Sequence, residues 1–181
     1  MKKTLFTACL ALMALPVLAP AQTTVSNSYS ARRGGEREFT LGGSGAANRD
    51  FDNTFGGINF SYGVYGSETL MYGIRQSINY SNPDVGGTEW NGSTRFVVDH
   101  HFATQGGFRP FLGVNLGGVY GESVRETFAA GLEGGVKFYV QPRTFVYAIA
   151  EYGWFFRHAN TLDNRFRDGQ FNWGVGLGFN F

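Results

Sequence analysis

The sequence predicts an all-β protein, an eight-stranded antiparallel up-and-down transmembrane β-barrel. Three observations predict it. Eight stretches alternate large apolar residues with small or polar ones, the period of a strand with two unlike faces. The composition suits strands, with 27 glycines, 17% aromatic residues and only 5 prolines; glycine is poor in helices and aromatics favour sheets. The connections alternate in length, as in a barrel with long loops at one end and tight turns at the other.

The chain opens MKKTLFTACLALMALPVLAPAQ. Lys2 and Lys3 precede an apolar run from Leu5 to Leu18, and Ala19-Pro20-Ala21 offers a small-residue cleavage pattern. Residues 1–21 therefore read as a secretory signal peptide, since the run is shorter than the ~20 residues of a spanning helix. Loss of Lys2 and Lys3 takes the net charge from +1 to −1, so no nucleic-acid partner is expected. The one cysteine, Cys9, lies in the signal. No disulfide, thiolate metal site or cysteine nucleophile is expected after cleavage. Residues 22–35 are polar and patternless and read as a flexible N-terminal segment; residues 36–181 read as the barrel.

The first strand is expected over Glu36–Ala46, with Phe39 and Leu41 on one face. The second, Thr54–Tyr65, sets Ile58, Phe60, Tyr62 and Val64 against Asn59, Ser61 and Gly63. The third, Leu70–Tyr80, sets Leu70, Tyr72, Ile74 and Ile78 against Gly73, Arg75 and Ser77. In the fourth, Gly92–Phe102, Phe96, Val98 and Phe102 oppose Arg95, Asp99 and His101. The fifth, Phe108–Tyr120, opposes Leu112, Val114, Leu116 and Tyr120 to Gly113, Asn115 and Gly117. The sixth, Phe128–Val140, opposes Leu132, Val136 and Phe138 to Gly131, Glu133 and Lys137. The seventh, Thr144–Phe156, opposes Val146, Ala148, Tyr152 and Trp154 to Tyr147, Ile149 and Glu151. The eighth is the closing stretch QFNWGVGLGFNF, in which Phe171 to Phe181 alternate with Asn and Gly alone.

A soluble barrel would turn the aromatics inward around a ligand, and its outer face would carry many charges. Here the alternate face is mostly Gly, Asn and Ser. A membrane barrel puts the apolar face against lipid and the small face in a narrow lumen. Lipid tolerates no open sheet edge, so the eighth strand is expected to pair with the first.

The signal, the eight alternating strands, "RPFLGVNLGGVYG", "GLEGGVKFYV" and the terminal "LGFNF" resemble the small outer-membrane β-barrel proteins, the group of the OmpA membrane domain and OmpX. The resemblance covers about Glu36 to Phe181. It implies a porin-like cell-envelope protein of a Gram-negative outer membrane. It also implies that Phe179 and Phe181 belong to the signal read by the barrel-assembly machinery. Some small outer-membrane barrels are lipid A deacylases, with a His and a Ser two residues apart followed by Asn. His158 and Asn160 invite that comparison, but the Ser is missing.

Arg75, Arg95, Asp99, His101, Glu133, Lys137 and Glu151 fall on the lumen face as a polar network. Isolated charges there are too costly, so they must pair. With Gln141–Arg143 as a turn, Lys137 faces Tyr147, and Glu133 faces Glu151 at ~5 Å. One of Arg75, Arg95 or Lys137 is then expected to bridge the two carboxylates. Retaining glycosidases also pair carboxylates at about this separation, but a plugged lumen gives a sugar no cleft. Asp99 and His101 share a face and are expected to form a hydrogen-bonded pair. No third metal ligand accompanies them.

The expectation is a non-enzymatic integral outer-membrane protein, a monomer with a structural or surface-loop role, no catalytic set, no metal and no cofactor. Its expected partners are outer-membrane lipid, lipopolysaccharide, the assembly machinery and a loop ligand of unknown kind. Arg157, Arg165 and Arg167 are possible loop contacts to lipopolysaccharide phosphates. The alternatives are a lipid-modifying enzyme, a narrow ion-conducting barrel and a soluble periplasmic ligand-binding barrel.

Overall fold

The alternating stretches form eight strands: β1 (Arg37–Ala47), β2 (Thr54–Tyr65), β3 (Leu70–Ser81), β4 (Glu89–His101), β5 (Phe108–Gly121), β6 (Thr127–Tyr139), β7 (Thr144–Phe155) and β8 (Gln170–Asn180). The structure, a computed structural model, describes residues 32–47, 54–81, 89–102, 107–122, 127–156 and 169–181. The signal peptide, His158, Asn160 and the loop arginines Arg157, Arg165 and Arg167 lie outside the described residues. Strand β4 begins three residues before its expected start at Gly92, because Glu89 and Trp90 continue the pairing with Ser81 and Tyr80 of β3.

Each strand pairs antiparallel with the next, and β8 returns to β1, closing the barrel. Phe39 faces Phe179 and Leu41 faces Leu177 across the closing seam. Closure leaves no row of unpaired backbone groups, the condition for a sheet in lipid. The short connections after β2, β4 and β6, the start of β1 and the finish of β8 share one end, here the turn end. The longer connections share the other, the loop end.

The apolar residues face outward. Leu41, Ile58 and Leu177 are 54%, 61% and 60% exposed, whereas Glu38 and Asn180 are 2% and 0% exposed. Aromatic side chains gather toward both ends of the outer face. Phe108 and Phe138 meet at the turn end with ring centroids 5.1 Å apart, and Tyr152 and Phe171 meet at the loop end at 4.9 Å. Aliphatic Leu112, Val114, Leu116 and Leu132 lie between. This is an apolar band between two aromatic girdles.

The glycines of β8 make room for rings inside. A Cβ on Gly176 would come within 2.8 Å of Tyr147 Cε1, and one on Gly178 would enter the Phe145 ring. Gly135 receives the Phe111 ring in the same way, with Cζ at 2.6 Å from such an atom. Large lumen side chains thus lie flat across glycines of the neighbouring strand.

Candidate functional site: a tiered lumen

Alternation places every expected network residue in the lumen, and closure brings them together in two tiers. In the middle tier, Arg75 of β3 faces Arg95 of β4, and Glu133 of β6 faces Glu151 of β7. Each pair alone is two like charges side by side, which destabilises a sheet. Across the lumen they neutralise each other. Arg75 donates to both oxygens of Glu133, at 2.9 and 2.8 Å, and its Nη1 lies 3.9 Å from Glu151 Oε2. Arg95 Nη1 donates to Glu151 Oε1. Asn115 Nδ2 donates to Glu133 at 2.5 Å, and Asn172 Nδ2 to Glu151 at 3.2 Å. Arg75 therefore stands against both carboxylates, and neither is available as a free acid or base.

Asp99 and His101 do not bond to each other, contrary to the sequence expectation. Two residues apart on one strand face, they are drawn to different neighbours. Asp99 leans over Gly113, whose other partner in register is Glu133. The His101 ring packs between Tyr65 and Phe111, with centroids at 5.4 and 5.3 Å, and neither ring nitrogen reaches Asp99. His100 points outward against Phe102, with ring centroids 5.2 Å apart.

The turn-end tier is a closed plug. Lys137 Nζ bonds Glu38 at 2.6 Å and sits within 5.2–5.7 Å of the Phe145, Phe111 and Tyr65 rings. Glu38 also accepts from the Tyr65 hydroxyl at 2.9 Å and Asn180 Nδ2 at 3.1 Å. A buried charge is tolerable on these terms, with a counterion and its remaining hydrogen-bond sites filled. Two further arginines brace this end from within. Arg109 lies over the Tyr65 ring and donates to the Glu68 carbonyl of the β2–β3 turn. Arg32 lies 4.4 Å over the Tyr139 ring and donates to the Pro142 carbonyl of the β6–β7 turn at 3.0 Å.

Residues 32–35 are thus not a loose end of the N-terminal segment. Arg32 also pairs with Glu36 at 2.6 Å, and Gly35 N donates to Tyr65 O at 2.7 Å. The stacking and the ion pair outweigh the freedom of a short polar stretch.

Above the middle tier the lumen lining turns small and polar. A cavity of about 70 Å³ runs from Glu38 and Lys137 of the plug past Arg75, Arg95 and Glu151 to Ser44, Asn79 and Asn172. It is large enough for several water molecules.

Glu38, Arg109, Arg32 and the tyrosines of the plug were not among the expected network. Strand parity carried the signal for two of them: Glu38 is on the face opposite Phe39, and Arg109 on the face opposite Leu112. With Glu38 and Arg109 added, three ion pairs span the described lumen: Arg75 with Glu133, Arg95 with Glu151 and Lys137 with Glu38.

No protein-family model matches the chain, and no curated protein matches its sequence. Solved structures do resemble it in fold. Neisserial surface protein A superimposes with a TM-score of 0.62 at 14% identity, covering 81% of this chain and 96% of that one. The outer-membrane protein OprG of Pseudomonas aeruginosa gives 0.59 at 9% identity, covering 84% and 98%. The N-terminal β-barrel domain of OprF of Pseudomonas aeruginosa gives 0.57 at 17% identity, covering 82% and 98%. At such identities the likeness speaks for architecture alone: the chain has the fold of the small eight-stranded outer-membrane β-barrels.

Proposed function

We propose that this chain is a non-enzymatic integral protein of the outer membrane, acting as a structural element of the envelope or through its long loops. The observation that carries the reading is the inversion of its faces. Leucine, isoleucine and phenylalanine point outward around a closed sheet, and arginines, lysine and carboxylates point in. Such an outer face suits lipid and no other solvent. The lumen argues against catalysis, because Glu133, Glu151 and Glu38 are held by Arg75, Arg95 and Lys137. It also argues against a wide pore, because the plug fills the turn end.

The experiment is production with the signal in a Gram-negative host, isolation of outer membranes, and gel migration with and without boiling. A barrel that stays folded in detergent until heated, found in the outer-membrane fraction, supports the reading. A soluble periplasmic product with no heat shift overturns it. The polar cavity that runs past the middle tier favours one second reading, a small ion conductance, which planar-bilayer recording of the purified barrel would test.

A further inference from the structure

Three polar side chains meet on the outer face of β3, β4 and β5, among residues that otherwise suit lipid. Gln76 lies between Ile74 and Ile78 in the outward parity of β3, and its partner in register on β4 is Thr94. Tyr120 of β5 reaches both across β4. Its ring lies over Gly92, where a Cβ would stand 2.8 Å from Tyr120 Cε2.

The three close a ring of hydrogen bonds. Thr94 Oγ1 donates to Gln76 Oε1 at 2.6 Å, and Gln76 Nε2 donates to the Tyr120 hydroxyl at 2.6 Å. The one hydroxyl hydrogen of Thr94 is thereby engaged, so across 3.2 Å the Tyr120 hydroxyl donates to Thr94 Oγ1. The second amide hydrogen of Gln76 is turned to the Ser77 carbonyl at 3.3 Å. Every polar hydrogen of the trio is thus used within the protein. What the ring presents outward is acceptors alone, the remaining lone pairs of Thr94 Oγ1 and Gln76 Oε1.

Beside Thr94, which is exposed, the surface dips. The other partner of Thr94 in register is Gly118, where a Cβ would meet nothing within 4 Å. Phe96, Leu116 and Phe128 border the dip from the lipid-facing side. Trp90 stands on the same face of β4, ~13 Å nearer the loop end. The ring therefore lies below the loop-end aromatic girdle, where hydrocarbon supplies no donor to a bare acceptor. The ester carbonyls of a lipid are acceptors too and do not answer it. A hydroxyl carried on an acyl chain does.

We infer that this sector binds a hydroxylated acyl chain of an outer-leaflet glycolipid, the lipid A of lipopolysaccharide. The chain lies in the dip over Gly118, and its hydroxyl donates to Thr94 Oγ1 or Gln76 Oε1. The site rests on the reading of the chain as an outer-membrane barrel, which puts the loop end in the glycolipid leaflet.

The test folds the protein into phosphatidylcholine vesicles doped equally with two synthetic lipid A species, one with hydroxylated acyl chains and one identical but for those hydroxyls. Mild extraction and native mass spectrometry then count the lipids retained. Wild type is expected to retain the hydroxylated species about five-fold more, the worth of one net hydrogen bond. Gln76→Leu with Thr94→Val should bring the two species to parity, while Thr94→Ser, which keeps the ring, should keep the preference. Extraction at ~1 M salt, where screening acts within about 3 Å, should leave the preference intact, since no charge carries it. Equal retention by wild type, a preference that survives the double substitution, or one lost at high salt overturns the site. So does a dimer of the barrel that forms through this face in place of retained lipid. The heat-shift gel separates the two claims. A chain without a heat shift overturns the barrel reading, and a heat-modifiable barrel with no preference overturns the site alone.

Discussion

Arg75 grips Glu133 from across the lumen, its two terminal nitrogens 2.9 and 2.8 Å from the two carboxylate oxygens. This fork joins β3 to β6, strands that share no backbone hydrogen bond in the barrel. Removing one partner of a buried pair strands the other charge. Arg75→Met is therefore expected to lower stability by about 3–5 kcal/mol, and Arg75→Met with Glu133→Met by much less. Urea unfolding of the protein refolded in lipid vesicles measures both; equal losses would show that the fork does not couple the strands.

The Phe145 ring occupies the space that a side chain on Gly178 would need. Gly178→Ala should cost about 1–3 kcal/mol through overpacking. Phe145→Leu in the same chain should recover part of that loss, a coupling readable from a double-mutant cycle. Strictly additive effects would place the strain elsewhere.

Charge on the outer face should be far more costly than a mild change within. Ile74 is 57% exposed on the outward face of β3. Ile74→Arg is expected to cost about 2–4 kcal/mol if it lies near the bilayer midplane. Ser77→Thr, on the lumen face of the same strand, should stay within about 0.5 kcal/mol. The same vesicle unfolding assay compares them.

Trp90, Trp154 and Trp173 are 44%, 41% and 46% exposed on the outer face. Their fluorescence should fall in vesicles of brominated-chain lipid relative to ordinary lipid. Unchanged emission would mean that these rings do not meet acyl chains.

Arg32 ties the start of the barrel to the β6–β7 turn through Pro142 and Tyr139. Arg32→Ala should lower stability by about 1–2 kcal/mol. Arg32→Lys should restore little, because an ammonium has no planar face to stack and no fork to share between Glu36 and Pro142. Full rescue by lysine would reduce the residue to a point charge.

Much of this architecture was legible in the residues. The closing stretch Gln170–Phe181 shows two faces without reference to any other strand, and the β6–β7 turn alone sets Glu133 opposite Glu151. Glu38 and Arg109 were harder to see. They stand at strand starts, where a single polar residue looks the same whether it enters a lumen or faces water. The Asp99–His101 pair was misjudged for a related reason: sharing a face makes two side chains neighbours but does not choose their partners.

The sequence by itself determined strand number, the two unlike faces and the pairing of strands joined by short turns. These follow from a two-residue period and from local turn geometry, which need only neighbouring residues. Tertiary structure decided which charge meets which across the lumen: Arg75 with Glu133, Arg95 with Glu151, Lys137 with Glu38. Those contacts join residues 56 to 99 positions apart. They depend on the stagger of all eight strands at closure, a property of the whole sheet that no single strand carries.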